Sequence, residues 1–151
     1  MLGHMDEGSA PVEQRVGGRE IAQAIVALHR RFYGRGATKA RTYFVGDHLL
    51  IVELRDIFIT MEHSLVARGQ EDTVRATRQT FQSAMRDEFT AVVEELTGRR
   101  VENYESVLFV HPQIALEIFI LESLDTHDAR MVREAAEDAG QPRPTPGIDG
   151  A

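Results

Sequence analysis

The stretch Arg30-Arg31-Phe32-Tyr33-Gly34-Arg35-Gly36-Ala37-Thr38-Lys39-Ala40-Arg41 is where residue types and spacing come nearest to chemistry. Glycine lets backbone N–H groups turn toward a ligand, and arginine offers a planar fork of donors suited to phosphate or carboxylate. Gly34, Arg35, Gly36, Thr38, Lys39 and Arg41 are therefore the candidate residues of an anion- or partner-binding site. The same residues have a structural reading, because basic side chains in the last turn of a helix complement its dipole and bond its free carbonyls. The stretch is not a P-loop. Its glycines follow a helix instead of opening one, and the Lys-Ser/Thr pair is missing.

Other chemistry finds little support. The chain has no cysteine, which removes disulfides, thiolate zinc sites, iron–sulfur clusters and cysteine nucleophiles together. His29, His48, His63, His111 and His127 are scattered, and Glu62-His63 is followed by Ala67 where a zinc helix needs a second histidine. Ser64 and Ser83 lack a nucleophile elbow. Asp87-Glu88, Glu94-Glu95 and the alternating Arg75, Arg78 and Arg86 read as the solvated face of a helix. No catalytic residue, metal site or cofactor is expected. Near the basic stretch the aromatics are Phe32, Tyr33, Tyr43 and Phe44, and the net charge is −7, so there is no strong nucleic-acid signal.

The elements that must position the basic stretch follow from periodicity. Ile21, Ile25, Leu28 and Phe32 mark one face of a helix over Gly18–Tyr33. Lys39–Val45 and Leu49–Arg55 read as hairpin strands around Gly46-Asp47-His48. Residues 57–60 are ambiguous, since Ile57-Phe58-Ile59 prefers strand while Thr60 is a candidate cap for a helix from Met61 to Arg68. One long amphipathic helix is predicted over Glu71–Leu96, carried by Val74, Phe81, Met85, Phe89 and Val93. Strands near Glu102–Val110 and Ile114–Leu121 form a second hairpin about His111-Pro112-Gln113.

The predicted order is α-β-β-α-α-β-β, an α+β two-layer sandwich with a four-stranded, mainly antiparallel sheet covered by the long helix, plus an optional C-terminal helix. At 151 residues one domain is expected, over residues 18–123. Residues 1–17 read as a disordered leader in which Gly3-His4-Met5 looks like a cloning remnant, residues 124–139 as a short helix, and residues 140–151 as a disordered tail. Leu49–Leu54 and Ile114–Leu121 are apolar on both faces, which fits either central strands or a homodimer interface. No apolar run reaches the ~20 residues of a membrane-spanning helix. A cytoplasmic setting is expected.

As a set, Tyr33–Arg41, Leu49-Leu50-Ile51-Val52-Glu53-Leu54, Thr60-Met61-Glu62-His63-Ser64-Leu65, Val93–Val101 and Glu117-Ile118-Phe119-Ile120-Leu121 resemble the MpsC-like domain family. The resemblance covers roughly Arg19–Glu122, with Ala37 where many members carry proline. It implies a soluble accessory of a bacterial cation-translocating, membrane-potential-generating system whose membrane subunits belong to inorganic-carbon uptake machinery. It carries no catalytic residues. The expected function is thus a non-enzymatic interaction protein, with a membrane transporter subunit as partner. The alternatives are a small-anion or nucleotide sensor using the same loop, then a nucleic-acid binder or an unrecognised enzyme.

Overall fold

The computed structural model describes residues 12–140, with side chains from residue 17. Of the leader expected over residues 1–17 and the tail expected over residues 140–151, residues 1–11, including Gly3-His4-Met5, and 141–151 lie outside the described residues, while residues 12–17 belong to α1 and Gly140 to α5. The elements are α1 (Val12–Tyr33), β1 (Lys39–Val45), β2 (Leu49–Arg55), α2 (Thr60–Ala67), α3 (Glu71–Ala84), α4 (Arg86–Thr97), β3 (Val101–Phe109), β4 (Ile114–Leu121) and α5 (Leu124–Gly140). The α+β expectation holds.

The sheet has the order β1-β2-β4-β3, with every neighbouring pair antiparallel. The two apolar strands, β2 and β4, are therefore the central pair. Strand side chains alternate between faces. Leu50, Val52 and Leu54 of β2 and Ala115, Glu117, Phe119 and Leu121 of β4 point to the helices and are buried, while the alternate residues are only partly covered. Ile21 and Ile25 of α1 and Phe89 and Val93 of α4 complete the core from above.

Three elements differ from the sequence reading. Helix α1 begins at Val12, before Gly18, and the Gly18 carbonyl accepts the Thr42 hydroxyl at 2.6 Å. The glycine that looked like a boundary instead sits against β1. The long helix is broken at Met85 (φ −96°, ψ 12°) into α3 and α4. The break lets α4 pack on α1 and β3. Third, Thr60 does not cap α2. Residues 57–59 form neither strand nor helix, and the Glu62 carboxylate caps the helix by accepting the Ile59 N–H at 3.0 Å. The Gln113 side-chain oxygen accepts the N–H groups of Ile57 and Phe58 at 2.5 and 2.8 Å, pinning this segment to the β3–β4 turn.

Helix α5 follows the sheet closely in sequence but buries none of its residues. Its root is fixed by Glu122, whose carboxylate accepts from Arg130 at 2.6 Å. The Arg130 guanidinium holds the Glu122 carboxyl at about 2, with the Arg100 N–H and His127 adding to the effect against the cost of burial.

Candidate functional site

The candidate basic residues divide among three environments. Gly34 takes φ +75° and its N–H bonds the Arg30 carbonyl at 2.9 Å, ending α1 in the left-handed turn that glycine tolerates. Gly36 passes so close to α1 that a Cβ there would lie 2.9 Å from Val26 Cγ1 and 3.1 Å from its carbonyl oxygen. Arg35 donates to the Phe58 carbonyl and to Asp56, each at 2.7 Å, and its guanidinium holds the Asp56 carboxyl below the usual carboxylate range. These three residues shape the loop and tie it to the end of β2.

Thr38, Lys39 and Arg41 are exposed. The ion pairs of this corner are Arg35–Asp56 and Arg55–Glu53, so Lys39 and Arg41 have no acidic partner among the described residues. Thr38 and Arg41 line a groove of about 790 Å³ between α1 and the edge strand β1. Its helix wall carries Arg19, Gln23 and Arg30, and its floor is made of small or apolar side chains such as Ala22, Val26 and Ala40. Arg19 and Arg30 were not singled out as one surface from the sequence. The signal was present: residues 19, 23, 26 and 30 form a helical stripe beside the apolar stripe of 21, 25, 28 and 32. Lys39 lies across the strand, in a hollow of about 510 Å³ with Arg41, Tyr43, Glu53 and Arg55.

A second polar group lies beneath the helices, beside a cavity of about 300 Å³ lined by Arg78, Gln82 and Ser106. Glu117 is fully buried on central strand β4. Its carboxylate accepts from Tyr104 at 2.5 Å, from His29 Nε2 and Ser106 at 3.2 Å each, and from Gln82 at 3.4 Å. Burial, then the adjacent carboxylate, push the Tyr104 phenol upward. Next to this cluster Arg78, read from sequence as surface, is 5% exposed and binds Glu62 through two bonds of 2.5 and 2.7 Å. Its guanidinium also lies 4.3 Å from the centre of the Tyr33 ring. Burial raises the Tyr33 phenol to about 12, opposed by Arg78.

Chemically, the buried cluster is a set of donors and acceptors that neutralise one another. The groove is different: it offers cationic groups to whatever enters. Among the described residues no three histidine or acidic side chains gather as metal ligands. A family model described as Na+-translocating membrane potential-generating system (MpsC) matches residues 15–123. The chain belongs to the MpsC family. No curated protein and no solved structure gives a significant match. The MpsC match runs through α1 and the whole sheet and ends before α5. Its description names a membrane system, and no helix among the described residues is long and apolar enough to cross a membrane.

Proposed function

We propose that this MpsC-family chain is a non-enzymatic accessory protein working at the cytoplasmic face of a membrane-potential-generating system. It acts as a homodimer and receives an acidic segment of another component in the groove between α1 and β1. The observation that carries this reading is the row of Arg19, Arg30 and Arg41 around a groove of about 790 Å³ on a chain whose net charge is −7. A cationic groove on an acidic protein favours a specific acidic partner over general attraction to anionic surfaces. The mutual pairing within the Glu117 cluster supports a non-enzymatic role, since its polar groups are spent on each other. Thr38, just before β1, and Arg41, within it, belong to the docking surface, whereas Gly34, Arg35 and Gly36 build the loop that presents it.

The test is co-sedimentation with inside-out membrane vesicles from the cell that makes the protein. Replacing Arg19, Arg30 and Arg41 with alanine is expected to leave the chain in the supernatant with its melting temperature nearly unchanged. Undiminished sedimentation of that variant would refute the groove. A second reading, binding of a small anion or nucleotide, is favoured by the hollow around Lys39, Arg41 and Arg55. Thermal shift with phosphate, bicarbonate and nucleotides separates the two, because a ligand of the native state raises the melting temperature in proportion to its excess over Kd.

A further inference from the structure

We infer that the open face of the sheet, the one turned away from α1 and α4, is the surface on which a second copy of this chain docks. The inference rests on the homodimer reading above and adds the face and the symmetry. Register places four rows across the sheet on this side: Lys39-Arg55-Ile114-Phe109, Arg41-Glu53-Leu116-Val107, Tyr43-Ile51-Ile118-Glu105 and Val45-Leu49-Ile120-Asn103. Tyr43, Val45, Val107 and Phe109 are 38 to 49% exposed, and no helix among the described residues covers the central β2–β4 positions between them. Strands ~4.8 Å apart and same-face residues ~6.7 Å apart make this a patch of ~500 Å². Ten of the sixteen positions are apolar, and two such faces together reach the ~1,000 Å² a specific interface has to clear.

Charge placement decides in favour of a second copy. An unbroken apolar diagonal runs from Phe109 through Leu116 and Ile51 to Val45. Lys39, Arg41 and Arg55 lie on one side of it, with Glu53 paired to Arg55, and Glu105 lies on the other with no cationic partner among the described residues. Rotating one copy by 180° about that diagonal sets its Lys39 and Arg55 beside Glu105 of the other, and the reverse contact forms at the same time. A two-fold contact requires a surface that is its own complement, and this face meets that requirement in both apolar area and charge.

The experiment is sedimentation equilibrium of the full chain and three variants. The wild type is expected to be a dimer, and Ile118→Glu a folded monomer with helical and strand circular dichroism retained. Glu105→Lys brings like charges together and weakens the dimer ~10-fold, and adding Lys39→Glu to it restores the affinity. Should Ile118→Glu fail to fold, the charge-swap pair still decides the matter. A dimer unaffected by Ile118→Glu and by the charge swap would overturn the assigned face while leaving the homodimer reading intact. A wild type that stays monomeric at high concentration would overturn both, including the case in which it adheres to vesicles through this face.

Discussion

A buried carboxylate is tolerable only while its donors stay in place. Glu117 has Tyr104, His29, Ser106 and Gln82 around it, so Glu117→Ala strands several buried polar groups at once. It should lower the unfolding free energy by ~3–5 kcal/mol, measured by urea titration. A loss under ~1 kcal/mol would mean the cluster is already solvated. Tyr33 behaves oppositely, because its buried hydroxyl finds no hydrogen-bond partner among the described residues. Tyr33→Phe keeps the ring beside Arg78 and should be neutral or stabilising by up to ~1–2 kcal/mol. In the sequence Ile114–Leu121 reads as apolar on both faces, and Glu117, the one charge within that strand, is not singled out. Its partner His29 lies 88 positions away, and Glu62 lies 16 positions before Arg78, separations at which no local pattern links two residues.

The elements were more legible than the contacts, since each strand carries its own alternation and each helix its own stripe. The break at Met85 was not, because no glycine or proline marks it and the stripe from Phe81 to Phe89 runs through without a gap. It sets α4 against α1 and β3, contacts that no window of sequence reports. Close approach was equally hidden. Gly36→Ala would press a methyl group against Val26, and it should cost ~1–3 kcal/mol in denaturant unfolding. Acid should loosen α5 before the sheet. With the Glu122 carboxyl held at about 2, its anchoring of Arg130 is complete above the ordinary glutamate pKa of ~4.3 and is lost as pH falls toward the folded value. Hydrogen exchange on α5 should therefore accelerate across that interval, while Glu122→Gln exchanges quickly at neutral pH and changes little there.

At the scale of the molecule, one layer of helices on one face of a sheet leaves two surfaces in want of partners. On the reading proposed above, a second copy covers the open face and an acidic segment of the membrane system enters the groove beside β1. The two surfaces meet at the edge strand β1, where Ala40, Thr42 and Phe44 line the groove, Lys39, Tyr43 and Val45 belong to the open face, and Arg41 borders both. Sequence gave the charge of this strand but not its sides, because alternation assigns Lys39 and Thr38 to a face only after the sheet order is known. Binding in the groove buries the free edge of β1. The most direct measurement is hydrogen exchange with and without inside-out vesicles carrying the system. Added protection over residues 18–45, absent when Arg19, Arg30 and Arg41 are alanine, is the predicted result; protection confined to other elements, or none, would contradict docking through this groove.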